Sequence, residues 1–235
     1  MSQPQSQRGR KVPAAKRNPL VPFYWAIGAL IVIGAAFLIT FAARGGFGSS
    51  TITPLNVPVG KTDDGFWYKG NPDAPVTVIK YSDYQCPSCA FYFNNLGKII
   101  QRDYIDPGKI KFVYHEFPLD SHQNAVAAGE AARCAGDQNQ YWAMHDLLFQ
   151  NQDTWAQLRT VTNVFSGYAG QIGLNRAEFD TCLSSGTHRA NVEAAGESSI
   201  ARGVNATPTF EVNGQLVNAS ELPSAIEAAL RAAGQ

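Results

Sequence analysis

The stretch Ala74–Cys89, APVTVIKYSDYQCPSC, decides the fold class. Its first half, Pro75–Ser82, is rich in β-branched residues and follows the turn formers Asn71-Pro72-Asp73, which marks a strand. Val76 and Val78 face one way and Thr77, Ile79 and Tyr81 the other. Apolar groups on both faces predict a central strand covered on both sides. The second half places Cys86-Pro87-Ser88-Cys89 at the start of a helix predicted over Cys86–Tyr104, where Phe93, Leu96 and Ile100 are spaced for one buried face. Asp106-Pro107-Gly108 ends that helix, and Lys109–Glu116 (KIKFVYHE) reads as a second strand. Strand, helix, strand in this order favours a parallel pair joined by a right-handed crossover.

Further along, about 121–204 turns helical. Ala125, Ala128 and Ala132 recur on one face, Tyr141–Phe149 continues the pattern, and Arg176–Leu183 and Arg189–Ala201 follow as short helices. Pro208–Val212 and Gln215–Val217 then read as a hairpin around Asn213-Gly214, the dipeptide that suits a type I′ turn. Leu222–Ala233 closes the chain as an amphipathic helix. The fold class expected is α/β.

Toward the N-terminus the composition changes. The net charge is zero, but residues 1–44 hold six of the 19 bases and none of the acids, so the remainder carries 13 bases against 19 acids. A mildly acidic domain offers no electrostatic footprint for nucleic acid. The basic tail, 1–19, precedes Leu20–Ala43, an uncharged run of 24 residues. About 20 apolar residues in helix cross a bilayer core, so 20–43 is expected to be a single transmembrane signal-anchor. Five of the bases lie before it, which puts the N-terminus in the cytoplasm and the remainder outside. A cleaved signal peptide is the competing reading; the run exceeds the usual h-region, and Thr40-Phe41-Ala42 is a poor cleavage site. Residues 44–65 are rich in Gly, Ser, Thr and Pro and read as a flexible linker, with the folded domain over 66–235.

An exported domain can keep disulfides. With Cys86 and Cys89 only two residues apart, Cys134 and Cys182 remain as the other couple, lying in different predicted helices. A bridge between them would close about 48 residues and stabilise by roughly 4 kcal/mol in the chain-entropy treatment. A relay dithiol or two free buried thiols are the alternatives. At the helix start, unpaired N–H groups and the positive end of the helix dipole favour a thiolate at Cys86, and Pro87 fits the first turn. Cys89, one turn on, can attack a mixed disulfide formed at Cys86. The bland readings are a structural bridge or half a zinc site, and zinc lacks two further ligands at metal spacing. No metal and no cofactor beyond the dithiol is expected. His115, His122, His145 and His188 show no metal spacing and are expected to pack or cap.

Ala74–Cys89, His115–Cys134 (HEFPLDSHQNAVAAGEAARC) and Gly203–Gly214 (GVNATPTFEVNG) together resemble the DsbA-like thiol–disulfide oxidoreductases. That resemblance implies a thioredoxin fold with an inserted helical subdomain, and a disulfide oxidase, reductase or isomerase activity on exported proteins with reduced cysteines. It also implies a cis Thr207-Pro208 bond facing the dithiol, with Thr207 contacting the substrate backbone. A quinone-linked DsbB-like or vitamin K epoxide reductase-like membrane protein would reoxidise the site. Six residues before Cys86 the family often places an acid; here Lys80 stands there. A lysine ordinarily snorkels to the sheet edge; alternatively its ammonium lies near the dithiol and favours thiolate. Asp83 is a weaker candidate for proton relay and otherwise caps a turn. Pro87-Ser88 lacks the histidine of the strongest oxidants, which leaves an intermediate potential open. Oxidase is the leading function, reductase or isomerase the second, and a non-catalytic binding or chaperone module the third.

Overall fold

The computed structural model describes residues 28–36, 40 and 56–235. The chain divides into two units, Met1–Ser49 and Ser50–Gln235. In the first, residues 28–36 form helix α1, with Leu30, Ile31, Val32 and Ile33 exposed. Among the described residues no helix is long and apolar enough to cross a membrane. The span expected over 20–43 lies mostly outside the described residues, as do the tail over 1–19 and the linker up to residue 55.

In the second unit the described residues form a six-stranded sheet in the order β1-β2-β4-β3-β5-β6. The strands are β1 Val59–Lys61, β2 Trp67–Gly70, β3 Val76–Ser82, β4 Ile110–Glu116, β5 Thr209–Val212 and β6 Gln215–Val217. β3 and β4 run parallel, from Val76↔Ile110 to Ser82↔Glu116, and the other neighbours are antiparallel. β3 is central, as its two apolar faces require: Val76 and Val78 are fully buried on one side and Tyr81 on the other. Between β5 and β6, Asn213 and Gly214 both take positive φ, 46° and 90°, as a type I′ turn demands. The segment expected to be linker contributes β1, which pairs with β2.

The helix expected over Cys86–Tyr104 is three pieces: α2 Pro87–Asn94, α3 Leu96–Ile100 and a π-turn over Gln101–Ile105. The chain bends at Asn95 (φ −121°, ψ −92°), whose amide donates to the carbonyls of both Phe91 and Tyr92. Its side-chain Nδ2 holds the Phe91 carbonyl as well, at 2.8 Å. Such side-chain competition for backbone groups is what makes Asn a poor helix-interior residue.

The inserted helices are α4 Ala125–Gly136, α5 Tyr141–Gln150, α6 Gln152–Trp155, α7 Thr162–Gln171, α8 Arg176–Ser185 and α9 Arg189–Ala201; α10 Leu222–Ala232 ends the fold. The alanines of α4 are small enough to bury nearly the whole helix. At its end Gly136 backs onto Trp67 so closely that a Cβ would lie 2.5 Å from the indole. The larger core lies between the Val76/Val78 face of the sheet and α2, α4, α5 and α10, while a smaller cluster with Phe66, Val113 and Ala195 covers the opposite face.

Candidate active site

β3 delivers the chain into a tight turn before the cysteines. The Asp83 carboxylate accepts from the backbone N–H of Gln85 (2.6 Å) and of Leu119 (2.9 Å), and pairs with His122 Nδ1 (2.8 Å). Gln85 donates to the Ala156 carbonyl and accepts from the Asn124 amide, at 2.7 Å each. Gln152 Nε2 donates to the carbonyls of Tyr84 (2.7 Å) and Cys86 (3.0 Å). Asp83, Gln85 and Gln152 therefore tie the active-site turn to the helical insertion and the segment before it. Asp83 is occupied as a turn cap and does not contact either sulfur by a hydrogen bond. Gln85 and Gln152 carried no motif that would single them out in the sequence.

Cys86 is the N-cap of α2 in extended conformation (φ −70°, ψ 121°), with Pro87 in the first turn. Opposite it, Thr207-Pro208 is cis, and the Cys86 thiol donates to the Thr207 carbonyl at 3.5 Å. Thr207 Oγ1 is buried without another hydrogen-bond partner, so its hydroxyl is free to donate to a thiolate. The Cys86 thiol is pulled down from 9.0 to about 5, first by a hydrogen bond from Cys89, against the cost of burial, and then by Thr207 and the N–H groups of Cys89 and Ser88. Cys89 is fully buried; burial and its bond to Cys86 drive its thiol up, while the charge of Lys80 opposes. The pair is thus polarised: Cys86 holds the charge and Cys89 the proton. Both cysteines are free thiols here.

Lys80 does not snorkel to the sheet edge. It shares strand parity with Val76 and Val78, is 1% exposed, and points into the core face. Its ammonium lies over the rings of Phe149 (4.5 Å), Tyr92 (4.8 Å) and Tyr114 (5.4 Å). Burial lowers it to about 8, with Cys89 and Cys86 pulling it back up and Lys69 pushing it further down. Ring faces and the sulfurs replace the water that a lysine ordinarily seeks. Lys69, also buried, and Asp146 belong to the same cluster without any motif to single them out, and His145, expected to pack or cap, pairs with Asp146 there. Burial depresses His145 to about 4, so it is a neutral ring there.

Cys134 and Cys182 are joined, with an S–S distance of 2.00 Å and a Cα–Cα distance of 5.9 Å, tying α4 to α8. His115 stacks on Phe66 with ring centroids 3.8 Å apart, and His188 Nε2 pairs with Asp137 at 2.7 Å.

A family model described as Thioredoxin matches residues 61–232. A putative protein-disulfide oxidoreductase of Rickettsia prowazekii is 32% identical over 156 residues, which cover 66% of this chain and 56% of that protein. A Na(+)/H(+) antiporter NhaA 1 of Salinispora arenicola is 33% identical over 186 residues, 79% of this chain but 27% of the antiporter. The chain thus spans about a quarter of the one relative and about half of the other. Among solved structures, oxidised BdbD of Bacillus subtilis superposes with a TM-score of 0.64 at 26% identity, covering 70% of this chain and 92% of BdbD.

Proposed function

The chain belongs to the thioredoxin family, among its DsbA-like thiol–disulfide oxidoreductases, and from that premise we propose that it is a disulfide oxidase acting on exported proteins through Cys86. The observation that carries this reading is the polarised pair facing a cis-proline loop: an ionisable Cys86 at 3.5 Å from the Thr207 carbonyl, backed by a buried, protonated Cys89.

In the oxidised enzyme a substrate thiolate attacks Cys86 Sγ, the Cys86–Cys89 bond breaks, and Cys89 leaves and takes up a proton. A second substrate thiolate then attacks the substrate sulfur of the mixed disulfide and expels Cys86. The substrate loses two electrons and two protons and gains its disulfide. The enzyme is left reduced, with Cys86 as the thiolate and Cys89 as the thiol, and the second proton goes to solvent. A thiol with a pKa near 5 is a good leaving group, and a stabilised thiolate favours the reduced enzyme, which makes the disulfide oxidising. Thr207 and Pro208 line the face on which the substrate backbone would lie, and Pro87 and Ser88 set the first turn of α2.

Turnover needs a two-electron acceptor. The DsbA-like resemblance and the uncharged run over 20–43 support a membrane-embedded one, DsbB-like or vitamin K epoxide reductase-like. They also support an anchored chain with the catalytic domain outside the cytoplasm. The exposed Leu30, Ile31, Val32 and Ile33 of α1 add to that support.

The test is the redox equilibrium of Cys86–Cys89 against glutathione. A potential on the oxidising side of about −200 mV is expected, between thioredoxin at about −270 mV and DsbA at about −120 mV. A value at the thioredoxin end reverses the flow and makes the chain a reductase. Cys89→Ala, expressed in a cell, should accumulate mixed disulfides with exported proteins, and an absence of adducts overturns catalysis itself.

A further inference from the structure

A cavity of about 620 Å³ lies between the core face of the sheet, α2, α3, the π-turn, α5 and the Asn56-Val57 segment. We propose that it binds an amphipathic organic carboxylate, its ionised head on the ammonium groups of Lys69 and Lys80 and its apolar body against Tyr92, Phe93, Ile105 and Phe112. The sheet register puts both lysines on one face: Lys69 pairs with Phe112 across β2 and β4, Phe112 with Val78, and Lys80 with Tyr114 across β3 and β4.

Both lysines are more than nine-tenths buried, at 7% and 1% exposure, and both line the cavity. Among the described residues neither has a carboxylate within ion-pair distance or a hydrogen-bond acceptor; each rests on rings, Lys69 over Trp142 at 4.6 Å and Lys80 over Phe149 at 4.5 Å. The two charges also repel each other. The cavity's own carboxylates, Asp146 and Asp106, act on Lys69 through charge, and Asp146 on Lys80 as well. Each bonds to another side chain, Asp146 to His145 at 2.8 Å and Asp106 to Gln101 at 2.6 Å, and neither touches a lysine ammonium. Lys98 also lines the cavity and adds positive charge, while Arg102, another lining residue, is paired with Asp103 at 2.6 Å. Buried cations without a contacting carboxylate are costly, and a ligand carboxylate supplies that contact. The same charges repel a metal cation. The aromatic and aliphatic wall favours a ligand with an apolar body over a small inorganic anion.

The site is coupled to the dithiol through Lys80, whose charge acts on Cys89 and Cys86. A bound carboxylate offsets that charge, weakens thiolate stabilisation and makes the disulfide less oxidising. This coupling rests on the dithiol reading above; the binding itself does not.

Calorimetry on the full chain with 2-naphthoate and its neutral isostere 2-naphthamide tests both. Naphthoate is expected to bind at least tenfold more tightly than the amide. Lys69→Met and Lys80→Met, each checked for a native circular dichroism spectrum, should each weaken naphthoate at least tenfold and leave the amide within twofold. Equal affinity for acid and amide, retained naphthoate affinity in both variants, or no binding at millimolar naphthoate overturns the site; the first and last need no variant. Saturating naphthoate should shift the glutathione equilibrium at least threefold toward the Cys86–Cys89 disulfide, and an unmoved equilibrium overturns the coupling. A chain that binds naphthoate yet never exchanges with glutathione refutes the dithiol reading and leaves the site standing.

Discussion

The Cys86 thiol donates to the Thr207 carbonyl at 3.5 Å, while the Thr207 hydroxyl lies buried with no partner of its own. One residue thus offers an acceptor to the protonated sulfur and a donor to the ionised one. Thr207→Val keeps the shape and removes only the donor. It should raise the Cys86 pKa by about one unit, since a hydrogen bond to a charged group is worth roughly 1.5–3 kcal/mol and solvent recovers part of that. Thiolate absorbance at 240 nm across a pH titration reads the shift directly. An unchanged midpoint would show that the carbonyl alone sets the contact.

Lys80→Met tests the other neighbour of the dithiol. Its charge lowers the cost of a thiolate at Cys89, and the sulfurs in turn raise Lys80. Without it the Cys86 pKa should rise by about one unit, a roughly tenfold loss of thiolate stabilisation, with the glutathione equilibrium moving toward the disulfide. Lys80→Arg, which keeps the charge, should recover most of the effect. If methionine leaves the thiol midpoint in place, Lys80 has no part in tuning the site.

Lys80 also marks the limit of what could be read from the chain. The alternation of β3 was legible, and by parity Val76, Val78 and Lys80 share the core face. The general habit of lysine pointed to the sheet edge instead, and what overrode it was a cage of Tyr92, Tyr114 and Phe149 drawn from α2, β4 and α5. No local pattern announces such a cage. For the same reason β1 and β2 were invisible: strands of three and four residues are held by long-range pairing, Trp67–Gly70 on Tyr114–Lys111 and Val59–Lys61 on Lys69–Trp67 in turn. The break at Asn95 was hidden too, because neither Pro nor Gly occupies the bend itself. The C-x-x-C helix start, the Asn213-Gly214 turn and the α9 span were legible because each rests on local chemistry.

Removing the bridge between α4 and α8 should cost stability and spare the site. Cys134→Ala with Cys182→Ala opens a loop with a sequence separation of 48, worth roughly 4 kcal/mol in the chain-entropy treatment. Urea denaturation of the double variant should show that loss, and the Cys86 midpoint should stay where it was. A shifted midpoint would tie this disulfide to the dithiol.

Arg133 and Glu116 form a two-pronged pair, at 3.0 and 2.7 Å, in the buried layer between β4 and α4. Tyr141 adds a hydrogen bond to the same carboxylate at 3.1 Å. Arg133→Met leaves Glu116 charged, buried and short of its partner, which should cost about 3–5 kcal/mol. Replacing Glu116 by Gln in the same chain should recover a large part of the loss. Equal instability in the single and double variants would mean that Arg133 matters for packing, not for charge.

Finally, the depressed Cys86 pKa fixes how the two redox forms differ in stability with pH. In the reduced chain the folded thiol ionises near pH 5, against an ordinary value near 9. Between those values the folded protein holds a thiolate where the unfolded chain holds a thiol, so unfolding takes up a proton and stability climbs with pH. The contribution is fully present above about pH 9 and lost as pH falls through about 5. The oxidised chain has no titrating sulfur at Cys86 and lacks the effect. Scanning calorimetry at pH 4.5, 6 and 7.5 stays below the range near 8 where Lys80 would lose its proton. Across it, the melting temperature of the reduced form should gain steadily on that of the oxidised form. A gap that stays flat with pH would mean that Cys86 is not the charged thiol of the reduced protein.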